Sequence, residues 1–226
     1  MTSELTKRII TSFGLILLLT FSFFYTYILI ISLIIISLLS WVEFSALISK
    51  IYKKNDFKTV FFTIVIKSVI LIYLFIFSAL IFEGIAQVEP NFKIHMLYIF
   101  SVCICSDIGG FIFGKSFKGK KLTKISPNKT VSGSIGSFIM SLILVPIFYL
   151  FFNNFNNLLD LVLISIIVSF ACQLGDLVIS FIKRRANVKD TSNILPGHGG
   201  LLDRIDGMLL AIPIGIVSWK FLITSL

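Results

Sequence analysis

The sequence predicts an all-α fold: a polytopic transmembrane helical bundle of about seven membrane helices, with the N-terminus in the cytoplasm. Three observations carry that prediction. Of the 226 residues 57% are hydrophobic and only 14% are charged, whereas a soluble domain carries roughly a quarter charged residues. The mean hydropathy is +1.00, and the apolar runs reach the ~20 residues that a helix needs to cross a hydrocarbon layer. Finally, lysine and arginine gather in alternate connections between those runs, as cytoplasmic loops require.

The first apolar run, Ile9 to Ala46, is too long for one span, and the aromatic stretch Phe23 to Tyr27 divides it into two helices. The remaining spans are predicted at Thr59 to Phe82, Ile94 to Phe113, Ser134 to Phe152, Leu158 to Ile182 and Gly207 to Leu226. No small-residue cleavage site follows the first run, so it is expected to be a retained span and not a secretory leader. Cys103, Cys105 and Cys172 fall inside predicted helices without Cys or His at ligand spacing, which argues against a disulfide framework or a zinc site. The expected organisation is a single integral membrane domain over 1–226, with N-terminal membrane helices over 1–93. A catalytic region over 94–226 carries cytoplasmic loops at 115–133 and 183–206.

Placing the N-terminus inside puts all but three of the 20 basic residues in cytoplasmic segments, the exceptions being Lys67, Lys93 and Lys220. The formal net charge of +9 is therefore the signature of topology and of anionic headgroups, and no nucleic-acid partner is expected. Accessible aromatic platforms for bases are scarce in these loops. Lys67 lies within a predicted helix, where it is expected to pair with Glu43 or to reach an interface.

Two polar clusters exceed what topology requires. Asp107 and Asp176 occupy the cytoplasmic halves of the fourth and sixth helices, where a carboxylate costs roughly 2.5 to 3.5 kcal/mol near the membrane centre. Asp107 reads either as a carboxylate satisfied by a neighbouring lysine or hydroxyl, or as part of a site. After Asp176 the chain delivers Ser180, Lys183 and Arg184, then Lys189 and Asp190, then the turn Pro196-Gly197-His198-Gly199-Gly200, then Asp203, Arg204 and Asp206. Asp203 and Asp206 are three residues apart, so in the first turn of a helix they share a face and can approach one cation. Arginine forks onto phosphate oxygens, lysine supplies a mobile charge, and glycines let backbone N–H groups approach a phosphate. A solvated basic loop, or a transporter pathway along Asp107, Asp176 and Lys67, is the weaker reading. The polar residues crowd one membrane face and do not mark a midplane site.

The run from Ser180 through Lys183-Arg184, Lys189-Asp190, Ser192, Leu195-Pro196, His198-Gly199-Gly200 and Asp203-Arg204-Ile205-Asp206 resembles the signature of the phosphatidate cytidylyltransferase (CDP-diacylglycerol synthase) family. Upstream, Asp107, Gly114-Lys115, Gly119-Lys120-Lys121-Leu122 and Ser126-Pro127-Asn128-Lys129-Thr130 resemble that family's second motif in the same order. Val131-Ser132 stands where the family commonly has Trp-Glu, and Asp107 is followed by Ile-Gly-Gly and not Ala-aromatic. The resemblance implies transfer of a cytidylyl group from CTP to phosphatidic acid at the cytoplasmic face of the cell's inner (plasma) membrane, giving CDP-diacylglycerol and pyrophosphate. It implies Mg2+ on Asp176, Asp203 and Asp206. It implies catalytic roles for Asp176, Asp203, Lys183, Arg184 and Lys189. Substrate contacts are expected from Ser126, Asn128, Lys129, Thr130, Ser180, His198, Gly199, Gly200 and Arg204. Membrane lipids and, by analogy, a second copy of the chain are the further expected partners. A CDP-alcohol phosphatidyltransferase is disfavoured, since Asp206-Gly207 is followed by no arginine and no later aspartate.

Overall fold

A computed structural model describes residues 2–53, 56–86, 90–123, 126, 128–152, 157–197 and 199–224, the side chains at 2–5, 8, 90, 91, 223 and 224 excepted. Seven helices account for most of them: α1 (Thr2–Phe24), α2 (Thr26–Ile51), α3 (Phe57–Ala86), α4 (Pro90–Phe117), α5 (Val131–Phe151), α6 (Leu158–Arg185) and α7 (Leu202–Thr224). Among the described residues there is no strand, only isolated bridges at Lys121–Thr130 and Leu195–Gly199. Helices α2 to α7 are each long and apolar enough to cross a membrane, while α1 carries a shorter apolar stretch, Ile9–Phe24.

The aromatic break expected between the first two spans falls at Tyr25, where extended backbone (φ −121°, ψ 109°) separates α1 from α2. Helix α7 begins five residues earlier than hydropathy alone predicts, because the acidic turn Asp203–Asp206 is helical despite its polarity.

The described residues form two compact units, one of 1–86 with 182–205, the other of 87–181 with 206–226. In the first unit α1, α2 and α3 pack with the loop that joins α6 to α7, and Leu33, Leu47, Leu74 and Phe77 are buried. In the second unit lipid-like exteriors leave little hydrophobic drive between helices, so close approach and hydroxyl bonds hold them. Ser106 and Ser169 bond across α4 and α6 at 2.9 Å, and Ser137 of α5 donates to the Ser106 carbonyl at 2.7 Å. Tyr98, fully buried, donates to the Leu161 carbonyl at 3.0 Å.

Glycines on α4 and α5 face one another in a seam formed by Gly109, Gly110 and Gly114 against Gly133 and Gly136. A Cβ at Gly136 would fall on the Phe113 side chain and 2.8 Å from the Gly109 carbonyl oxygen. Gly136→Ala is therefore expected to destabilise the protein by about 1–3 kcal/mol through overpacking. Gly14→Ala is the matched control, since a Cβ there meets nothing within 4 Å. Thermal unfolding of both variants in one detergent measures the difference, and equal melting temperatures would sink the seam.

Candidate active site

Helix α6 closes with a left-handed residue, Asn187 (φ 55°), and paired bonds from Asn187 N–H to Arg184 O (3.1 Å) and Val188 N–H to Lys183 O (3.0 Å). This is a Schellman cap, which asparagine tolerates because its short polar side chain strains little in that conformation. It turns the chain out of the helix immediately after the predicted cations. The loop then runs back through a tight turn at Leu195–Gly199, closed by Leu195 N–H to Gly199 O at 2.9 Å, with Gly197 (φ 77°) and Gly199 (φ 81°) left-handed.

Within the first unit that loop converges on Asp203. Oδ1 of Asp203 accepts from the Lys183 ammonium at 2.6 Å, and Oδ2 accepts from Thr191 N–H (2.9 Å), Thr191 Oγ1 (3.0 Å) and Gly200 N–H (3.2 Å). The Lys183 and Asp203 side chains are 12% and 8% exposed, so this ion pair is nearly dry. Two residues read from sequence as a phosphate cation and a metal ligand are thus joined to each other. Arg184, Lys189 and Arg204 remain exposed to an incoming ligand. His198 lies outside the described residues.

A residue with no expected role in this site anchors the loop. Glu43 of α2, 1% exposed, accepts from Leu201 N–H (3.0 Å), Leu202 N–H (2.7 Å), the Ser192 hydroxyl and Thr191 Oγ1 (2.9 Å), whose single proton is shared with Asp203. Each carboxylate oxygen takes one hydroxyl and one amide. The amides belong to the start of α7, whose first N–H groups lack partners within the helix and whose dipole favours an anion. Gly200 is required by this packing, since a Cβ there would collide with Thr191 Oγ1 and lie 2.8 Å from both Glu43 oxygens. The expected Glu43–Lys67 pair is not formed; the Lys67 ammonium bonds Ser49 Oγ at 2.8 Å. The sequence signal for Glu43 was its isolation as the one acid in a long apolar run, which makes an intramembrane carboxylate a site residue by default.

The second unit holds the other predicted cluster. The connection from α4 to α5 folds back on itself, with Leu122 N–H to Lys129 O (2.8 Å) and Val131 N–H to Lys120 O (3.0 Å). Lys118 (φ 50°) and Gly119 (φ 107°) make the reversal. Ser132 Oγ secures it by donating to the Lys118 carbonyl at 2.5 Å. Thr130, expected to touch substrate, instead caps α5: its side-chain oxygen accepts from Gly133 N–H at 3.1 Å. That geometry carries the Lys129 ammonium onto the Asp176 carboxylate, which also accepts from Ser180 Oγ at 3.3 Å.

Asp107 belongs to the same group. It is exposed, takes a thiol contact from Cys172 at 3.5 Å, and is close enough for its charge to act on Asp176 and Lys129. Ser126 and Asn128 stand in the same connection, Ser126 N–H bonding Thr123 Oγ1 at 3.2 Å and Asn128 exposed. Asp206 accepts from Gly207 N–H at 2.9 Å.

Among the described residues no group of three or more His, Cys, Asp or Glu side chains stands together as a ready metal cage. A magnesium ion needs less, since it uses one or two carboxylates and completes its shell with water and phosphate. Asp176, with 31% of its side chain exposed, fits that demand once Lys129 releases Oδ2, since Ser180 already bonds Oδ1. Both oxygens of Asp203 are occupied, so it fits only once Lys183 lets go.

Comparison with known proteins agrees with this chemistry. A family model described as the cytidylyltransferase family matches residues 7–222. A phosphatidate cytidylyltransferase of Staphylococcus haemolyticus (strain JCSC1435) is 51% identical over 122 residues, covering 53% of this chain and 46% of that protein. One from Bacillus subtilis (strain 168) is 40% identical over 142 residues, covering 61% of this chain and 53% of that protein. The chain spans about half the length of the curated relatives it matches. With the family match running almost from end to end of 226 residues, and both motif regions folded around paired acids and lysines, the chain belongs to the cytidylyltransferase family.

Proposed function

We propose that this protein transfers a cytidylyl group from CTP to phosphatidic acid at the cytoplasmic face of the plasma membrane, forming CDP-diacylglycerol. A phosphate oxygen of phosphatidate bonds to the α-phosphorus of CTP, and the bond from that phosphorus to the β-phosphate oxygen breaks, releasing pyrophosphate. The observation that carries the reading is the convergence of the signature segment 183–203 on one carboxylate, Asp203, through Lys183, Thr191 and Gly200. Such a loop is a preorganised framework for phosphate chemistry, in which positioning and charge neutralisation supply most of the rate. The relatives named as phosphatidate cytidylyltransferases support the choice of substrates.

Arg184, Lys189 and Arg204 are assigned to phosphate oxygens because they are exposed cations beside the anchored loop. Ser126, Asn128 and Lys129 supply polar contacts from the α4–α5 connection, and Ser180 holds Asp176 in place. The attacking phosphate is already ionised at neutral pH, so no general base is required. Asp176 and Asp206 would hold Mg2+, and Asp203, once released by Lys183, is proposed as a ligand on the loop; a bound magnesium ion supplies neutralisation of the triphosphate. The basic connections support a cytoplasmic position for the site, and a homodimer is proposed by analogy with the family, which light scattering in detergent measures.

The direct test is incorporation of labelled CTP into a chloroform-soluble product by purified protein given phosphatidic acid and magnesium. Product that requires both is expected; labelled lipid formed without phosphatidate, or none at all, overturns the reading. Lys129→Met is expected to lower this activity about 100-fold. Its stability should change by less than about 1 kcal/mol, since the Lys129–Asp176 pair is part-exposed and screened by water.

A further inference from the structure

Lys67 is an intramembrane cation that the proposed reaction leaves without work. It stands well inside α3 (Phe57–Ala86), in a run where a charge is costly. Its ammonium reaches back to Ser49 Oγ, near the end of α2, at 2.8 Å. That is the posture of a lysine stretched toward an interface with its stem on apolar surface. The helix pair is tied beside it by Trp41 Nε1 donating to the Lys67 carbonyl at 3.3 Å. Among the described residues the ammonium meets Ser49 alone, and the acid nearest in sequence logic, Glu43, is saturated by the α6–α7 loop. An ammonium carries three donors, so two remain unassigned.

Next to Lys67 on the same unit runs an apolar groove of about 540 Å³ between α2 and α3, lined by Leu33, Leu38, Leu71, Leu74, Phe75 and Phe82 among others. That volume lies in the ~300–1,000 Å³ range of ligand sites. Its two hydroxyls, Ser37 and Ser78, bond each other at 2.5 Å, so the lining offers hydrocarbon contact and no competing polar group. The lining ends at Leu38 and Leu71, and Lys67 stands one helical turn beyond Leu71 on the same face of α3. Exposed Lys53 and Lys58 flank the same end. An apolar groove with an uncompensated cation one helical turn beyond its end is complementary to one ligand shape, a hydrocarbon chain joined to an anion at interface depth.

We propose that the α2–α3 face binds an anionic phospholipid, with its phosphate on Lys67 and one acyl chain in the groove. The site is separate from cytidylyl transfer and stands whether or not that reaction is correct. The full chain, purified in detergent, is offered dioctanoyl phosphatidylglycerol, dioctanoyl phosphatidylcholine or inorganic phosphate without CTP, and bound ligand is read by native mass spectrometry. Wild type is expected to retain phosphatidylglycerol over phosphatidylcholine by about fivefold, the weight of one lysine near an anionic headgroup. Lys67→Gln is expected to erase that preference and Lys67→Arg to keep it. Ala79→Phe, which fills the groove from α3, is expected to lower retention of both lipids. Equal retention of the two lipids by wild type, unchanged preference in Lys67→Gln, or inorganic phosphate binding as well as the lipid overturns the proposal. So does a lipid-free dimer mass, which would give the face to a second copy of the chain.

Discussion

Glu43→Leu is expected to detach the α6–α7 loop and remove the proposed cytidylyl transfer while the membrane helices persist. The substitution leaves the Ser192 hydroxyl and the Leu201 and Leu202 N–H groups without their acceptor, while Thr191 Oγ1 keeps Asp203. Each orphaned buried donor costs about 1–3 kcal/mol, so the loop loses at least about 3 kcal/mol against a typical total stability of 5–15 kcal/mol. Misplacement of the loop cations by about 1 Å is sufficient for a 100-fold loss of rate. Trypsin cleavage after Lys189, compared between variant and wild type, reads the loop directly. Two conservative variants separate anchoring from bulk. Glu43→Asp keeps both acceptor oxygens but falls one methylene short. Glu43→Gln keeps the length but turns an NH2 group toward an amide that can only donate. Asp is therefore expected to restore more activity than Gln, and a fully active Gln variant would remove the anchor role.

Asp203→Asn is the second large effect, and its cause is visible in the same bonds. Whichever way the amide turns, its nitrogen faces either the Lys183 ammonium or the three donors from Thr191 and Gly200. Breaking a nearly dry ion pair by removing one partner costs about 3–5 kcal/mol, so activity should vanish and the melting temperature should fall. Lys183→Met is expected to destabilise less, since it leaves Asp203 with its three other donors. The double variant should then cost less than the sum of the singles, as coupled residues do. Arg185→Ala, exposed and outside the cluster, is expected to stay within about twofold of wild type. An Asp203→Asn enzyme that keeps both its activity and its melting temperature would show that the pair is dispensable.

Most of the fold was legible because lipid imposes a simple rule: a spanning helix must be long and apolar, and the chain between helices must be polar and basic. The break at Tyr25 and the Leu158–Arg185 helix were readable for that reason. The signature loop was also legible, since scarce charges and paired glycines have few uses at a membrane edge.

What local pattern could not reveal was which donors each acid meets. Thr130 reads as a phosphate contact in a polar loop, yet it caps α5, because a helix start takes the nearest hydroxyl oxygen. Asp203 reads as an open metal ligand, yet it is closed by Lys183, 20 residues away in sequence.

The sequence by itself determined the helices and their apolar faces, since those follow from composition and spacing within short windows. Only the tertiary structure decided that Glu43 holds the signature loop from 148 residues away. It also decided that Asp107 takes the Cys172 thiol, 65 residues away in sequence. A buried carboxylate must find donors wherever the packed chain brings them, and that partner is chosen by the fold and not by neighbours in sequence.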